Sequence, residues 1–247
     1  SHLRDPGFEY KETIQSGTAS AVSGGYTTVC CMANTSPVND NASVTDYIVK
    51  KTREVGYCKV HPIGAITKSL KGEELANIAE LKEAGCVAIS DDGLTVQNAR
   101  LMRIAMDYAK SFGLPVTTHS IEANLAKSGH MNESVVSTRL GITGSPAAAE
   151  DVIIARDILL AELTGAHLHV GHLSTKGGIR MVEEAKQRGI PVTCEVTPHH
   201  FTLTDEAITD YDTNLKMCPP LRSAEDVQAI KDALKKGKDI GKDKTSL

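Results

Sequence analysis

Six short runs of apolar, often β-branched residues recur along the chain, at 27–33, 57–66, 86–90, 114–119, 166–173 and 190–197. They are near-continuous rather than alternating, the pattern of strands that a parallel sheet buries on both faces. Between them the apolar period lengthens to that of a helix. Val152, Ala155, Leu159 and Leu163 make one apolar face, opened by Ser145-Pro146 and stopped by Gly165. Leu75, Ile78 and Leu81 make a second, stopped by Gly85, and Ile179, Val182 and Ala185 a third, stopped by Gly189. A last helix at 224–235 turns Val227, Ile230 and Leu234 inward. Glycine ends such helices because the left-handed position just past them tolerates little else, and Gly56 and Gly113 fit the same series.

Strands alternating with helices imply βα units and a parallel sheet, hence an α/β fold. An open doubly wound sheet stays an alternative, though no G-x-G-x-x-G follows the first strands. A (β/α)8 TIM-type barrel fits the spacing better, and 247 residues match the roughly 250 that one such barrel fills. It is incomplete: strand 1 and strand 8 are largely missing. Residues 1–237 read as the catalytic barrel, and 238–247 (KDIGKDKTSL) as a tail too polar for a barrel interior. The expectation is a chain cut at both ends, or frame-shifted at the last.

Composition narrows the function classes. The formal charge is −4 with no basic run, against a nucleic-acid footprint or a polybasic membrane anchor. Aromatics are 4% with no Trp, which argues against base-stacking or sugar-stacking platforms. No stretch approaches the roughly 20 apolar residues of a membrane span and no signal peptide is evident, so a cytoplasmic protein is expected. The six cysteines lack C-x-x-C spacing and read as buried free thiols in a reducing compartment.

Catalytic groups of such barrels stand at the C-terminal ends of strands. The polar residues there are His2 and Arg4, Asn34, Ser90-Asp91-Asp92-Gly93, His119, His172 and His199-His200. Several imidazoles and a carboxylate on one rim suit a zinc site with a position open for water. Duller readings stand beside this one. Asp91-Asp92-Gly93 alone makes a turn, His167 and His169 share a strand face as packing groups, and His130 sits solvated in a loop. Spacing and composition alone support a metal-dependent barrel hydrolase.

Residues 2–7 (HLRDPG), with Lys11-Glu12, resemble the H-L-R-[DE]-P-G…K-E signature of dihydroorotases. Residues 24–35 (GGYTTVCCMANT) are similar to that family's GG[FY]TT…MPNT. Residues 90–93, 171–177 (GHLSTKG), 195–200 (EVTPHH) and 216–222 (KMCPPLR) add further blocks, in order, from residue 2 to about residue 237. The resemblance implies a zinc-dependent cyclic amidohydrolase that interconverts L-dihydroorotate and N-carbamoyl-L-aspartate in pyrimidine biosynthesis. His2 resembles the second His of an H-x-H pair on one zinc. Asp92 resembles the carboxylate that in this branch takes the bridging place of a carboxylated lysine, and His119 and His172 the ligands of a second zinc. Arg4 and Asn34 match the residues that hold the substrate's free carboxylate, a planar anion suited to a guanidinium fork and an amide. One or two Zn2+ ions per chain are implied, and metal-assisted amide hydrolysis with its reverse.

The departures from the family pattern are equally specific. The first His of H-x-H would precede Ser1, and the proton-shuttling Asp of strand 8 would follow Gly237, so this polypeptide alone is expected to be inactive. Cys218 stands where the family usually has a substrate-contacting Asn, and Ala33 where it has Pro. Two alternatives remain. A hydantoinase or allantoinase is disfavoured because Ser90-Asp91-Asp92-Gly93 stands where those enzymes carry a lysine. A non-catalytic dihydroorotase-like subunit supporting aspartate transcarbamoylase need not keep its ligands, yet Asp92, His119 and His172 remain. The expected partners are the small-molecule substrate and either a second copy of the chain or aspartate transcarbamoylase, with no nucleic acid and no membrane.

Overall fold

The computed structural model describes residues 1–235 and divides into two compact units, Ser1–Thr118 and a second beginning at His119. The first unit alternates α1 (Ile14–Ser23), β1 (Thr28–Cys31), α2 (Ala42–Val55), β2 (Lys59–Gly64), α3 (Ile78–Ala84), β3 (Ala88–Ile89), α4 (Ala99–Ser111) and β4 (Val116–Thr118). Its strands lie in chain order, each pair parallel, with Cys30 opposite His61 and Ile89 opposite Val116. Parallel neighbours need a crossover, and α2, α3 and α4 supply it. Each of these helices begins on an asparagine, Asn41, Asn77 or Asn98, whose side chain accepts a backbone N–H of the first turn. Leu3, Ile14, Cys31, Val44 and Ile48 pack into a core around β1.

The second unit contains α5 (Ala123–Ala126), β5 (Met131–Asn132), α6 (Val135–Leu140), β6 (Gly144–Ser145), α7 (Ala147–Thr164), β7 (Leu168–Val170), α8 (Lys176–Gln187), β8 (Val192–Cys194), α9 (Pro198–Thr202) and α10 (Ala224–Lys235). β7 and β8 are parallel, with Leu168 opposite Val192, and β5 and β6 form a separate parallel pair. Met131, Val136, Ile208 and Leu221 make a core beside that small pair.

Each of the six apolar runs contains a strand, shorter than the run itself. The face expected of α7 is corrected. Val152, Leu159 and Leu163 are 48, 61 and 67% exposed, while Ala149, Ile153, Ile154, Ile158 and Ala161 are buried. α7 is apolar nearly all round, so periodicity cannot choose a face. The buried side also carries Glu150 and Asp157, whose polarity points a sequence reading the wrong way. In α10, Ala233 is buried in place of Leu234, which is 38% exposed.

Gly85, Gly113, Gly165 and Gly189 have positive φ as expected, but Gly56 does not, at φ −76°. A Cβ there would meet the Thr52 carbonyl oxygen at 2.6 Å, so close packing is what requires glycine. All six cysteines are free. Only Cys31, Cys86 and Cys194 are buried, and Cys218 is exposed. The polar tail at 238–247 lies outside the described residues. Among those residues no helix is long and apolar enough to cross a membrane.

Candidate functional site

In the first unit the polar groups gather where the parallel strands end. The first residues run beside β1: Ser1 N donates to the Cys30 carbonyl at 2.7 Å, and Met32 N donates to the Ser1 carbonyl at 2.9 Å. That pairing sets His2 level with Asn34, three residues past the end of β1. Asn34 Nδ2 lies 2.9 Å from His2 Nδ1 and also donates to Asp92 Oδ2. His2 Nδ1 and Asp92 Oδ2 are 3.6 Å apart. Burial lowers the His2 pKa, with the N-terminal charge and Arg4 acting the same way and Asp92 opposing them. The neutral imidazole that a metal requires is therefore favoured.

Asp92 is presented by its neighbour. Asp91 is buried and accepts the N–H groups of Ile66 and Thr67, both at 2.8 Å, together with the Thr67 hydroxyl. Burial pushes the Asp91 carboxyl above its usual range, against the pull of those bonds. Asp91 thereby ties the turn after β3 to the loop after β2, and Asp92 projects from that turn in a left-handed backbone, φ +51°. Arg4 is left-handed too, at φ +58°.

The second unit has its own cluster. His119 follows β4 directly, and its Nδ1 lies 2.9 Å from His172 Nε2, the rings edge to face with centroids 4.5 Å apart. His172 occupies the turn after β7 at φ +35°. Cys218 Sγ is 3.3 Å from His119 Nε2. Behind the pair, His167 Nε2 and His169 Nδ1 both meet Thr193 Oγ1, at 3.0 and 2.8 Å. Burial alone would raise Glu195, but His169 beside it and the charge of His172 bring its pKa below the usual carboxylate value.

Both clusters suit a shared cation. Two ligands about 2.1 Å from one tetrahedral zinc stand about 3.4 Å apart, near the 3.6 Å of His2 and Asp92 and the 2.9 Å of His119 and His172. Asn34 Nδ2 lies where the His2 and Asp92 lone pairs converge, and its Oδ1 is buried with no hydrogen-bond partner among the described residues. The donors come in pairs: among the described residues no three His, Cys, Asp or Glu form a ready metal cage.

The structure thus brings His2, Asn34 and Asp92 together, and His119 with His172. Arg4 is near enough for its charge to act on His2. His199 is exposed, whereas His200 is buried and bonds Thr197 Oγ1 at 2.9 Å and the Pro219 carbonyl at 3.0 Å, a structural role. The sequence reading missed the support roles of Asp91, Glu150, Ser174 and Arg222. The available signal was Glu150-Asp151, two carboxylates directly after three alanines at the start of a largely apolar helix.

A family model described as dihydro-orotase-like matches residues 1–178. Among similar proteins, a dihydroorotase of Geobacter metallireducens is 56% identical over 236 residues, covering 96% of this chain and 56% of its own length. A dihydroorotase of Syntrophobacter fumaroxidans is 55% identical, with 96% and 54% covered. The chain therefore spans little more than half the length of these curated relatives. Among solved structures, the L-hydantoinase (dihydropyrimidinase) of Arthrobacter aurescens superposes with a TM-score of 0.83 at 19% identity, over 97% of this chain and 55% of that one. The likeness shows the fold alone: α/β, of the incomplete TIM-type barrel kind.

Proposed function

The chain belongs to the dihydro-orotase-like family, and from that premise we propose that the protein carrying it is a zinc-dependent dihydroorotase, interconverting L-dihydroorotate and N-carbamoyl-L-aspartate. The observation that carries the reading is the close approach of His2 to Asp92 and of His119 to His172, with His2, Asp92 and His172 inside sequence blocks that resemble the family's and His119 at the end of a strand. These four residues are the proposed metal ligands. Bound zinc would supply a Lewis acid to polarise the amide carbonyl.

The chain's own groups do the rest. The lowered pKa of His2 favours the neutral imidazole whose lone pair a metal needs. Asp91 holds the turn from which Asp92 projects. Asn34, whose amide now caps the His2 and Asp92 lone pairs, would be free to donate to the substrate if those two residues held a cation instead. Arg4, across the same rim, binds the substrate carboxylate with a planar fork that fixes orientation as well as charge. No described residue is assigned the proton transfer.

Steady-state kinetics of Arg4→Ala in the protein that contains these residues test this reading. Stripping a desolvated anion of its partner costs about 2–5 kcal/mol, so KM for dihydroorotate should rise at least about 30-fold. An unchanged KM would remove the carboxylate-binding role.

A further inference from the structure

The proposed chemistry leaves one buried charged pair unused. Arg222 and Glu150 are 1 and 2% exposed, and Arg222 Nη2 lies 3.2 Å from Glu150 Oε2. The guanidinium also donates from Nε to Ser174 Oγ at 3.1 Å, and from Nη1 to Asn132 Oδ1 at 3.1 Å and the Ser145 carbonyl at 3.0 Å. Glu150 accepts the Ser174 backbone N–H at 2.7 Å on Oε1, and the Ser174 hydroxyl on Oε2. Asn132 in turn donates to Asp205 Oδ2 at 2.9 Å, and Asp205 N donates to the Arg222 carbonyl at 2.9 Å.

A pair this deep is a poor stabiliser, since apolar side chains of the same volume often do as well or better. What it does well is fix position. Both Glu150 oxygens go to Ser174, two residues beyond His172 in the turn after β7. Arg222 closes the 216–222 loop, four residues beyond Cys218, which approaches His119. His172 is held in a left-handed backbone that costs energy and persists only where its surroundings over-determine it. The Glu150–Arg222 pair is the joint between the two loops that bracket His119 and His172.

We propose that Glu150 and Arg222 are positioning residues that hold the His172 turn and the Cys218 loop in register around His119. The consequence for metal binding rests on the reading of His119 and His172 as ligands, while the positioning itself does not.

The test is imidazole NMR of the metal-free chain, followed by zinc titration against a chromophoric chelator, with thermal melts alongside. Arg222→Lys keeps the charge but loses the fork. It should shift and broaden the His119 and His172 resonances and leave those of His2 and His61 in place. Zinc affinity should fall about 10- to 100-fold, as for other groups that orient a ligand, at temperatures where the melt shows a folded chain. Should Arg222→Lys not fold, the near-isosteric Glu150→Gln carries the same expectation. Ile158→Val, a core change away from the joint, should leave the imidazoles untouched. Unaltered His119 and His172 resonances in the folded joint variant, or equal disturbance by Ile158→Val, would overturn the proposal. If wild type and His172→Ala take up zinc identically, the ligand assignment fails instead, and the imidazole spectra still decide the positioning.

Discussion

Arg4, Asp92 and His172 all have a left-handed backbone without being glycine, at φ +58°, +51° and +35°. Each such residue costs of order 1–3 kcal/mol and survives where surrounding contacts enforce it. Each lies in a turn from which a candidate functional side chain projects. Asp157 shows another local cost. It is fully buried, its Oδ1 is 2.8 Å from Arg156, and its Oδ2 has no partner among the described residues. Burial lifts its pKa to about 6 against the pull of Arg156. An unfolded Asp ionises near 4, so the folded chain binds the proton more tightly. The group's contribution to stability is full below about pH 4 and is lost as pH rises through 6. Asp157→Asn should therefore stabilise the chain by about 1–3 kcal/mol at pH 7.5, and by almost nothing at pH 4. Melting curves across that range check the sign, and a gain that grew toward pH 4 would refute it. At this scale, His2, Asn34, Asp92 and His172 were legible because they occupy fixed places in recognisable blocks, and His119 because it ends an apolar strand run. Glu150 and Arg222 were not, since their pairing joins positions 72 residues apart, and a lone charge in sequence reads as solvated.

The secondary-structure elements divide the same way. Six of the described strands were readable from their apolar runs, whereas the two-residue β5 and β6 were not, and the stops of α3 and α7 were readable from the left-handed Gly85 and Gly165. The buried face of α7 was not readable, because the helix is apolar on both sides and only tertiary packing chooses between them. The choice has a direct consequence. Leu159→Lys, on the exposed side, should change stability by no more than about 0.5 kcal/mol, whereas Ile158→Ala, one residue before it, should cost about 2–5 kcal/mol. Denaturant midpoints of the two variants measure the contrast, and a reversed order would restore the face that periodicity alone suggested. Gly56 makes a related point: the sequence marks a helix end correctly, but the reason for glycine there is the Thr52 carbonyl, not the sign of φ.

For the whole molecule, the two units each carry one pair of donors at cation-sharing distance, and both pairs follow the ends of parallel strands, where barrel enzymes keep their chemistry. The curated relatives are nearly twice as long as the stretch they share with this chain, and the activity is proposed for the whole protein. The fold class was legible from the alternation of strands and helices. The distances among the donors were not, because they depend on supports such as Asp91, which lies outside the chemistry. The most direct measurement is steady-state hydrolysis of L-dihydroorotate by that protein, before and after metal removal, with hydantoin as the competing substrate and His172→Ala as the variant. Dihydroorotate should be turned over, activity should vanish on chelation and return with zinc, and His172→Ala should lose more than about 100-fold. Full activity and metal content in His172→Ala, or turnover of hydantoin with none of dihydroorotate, would contradict the account.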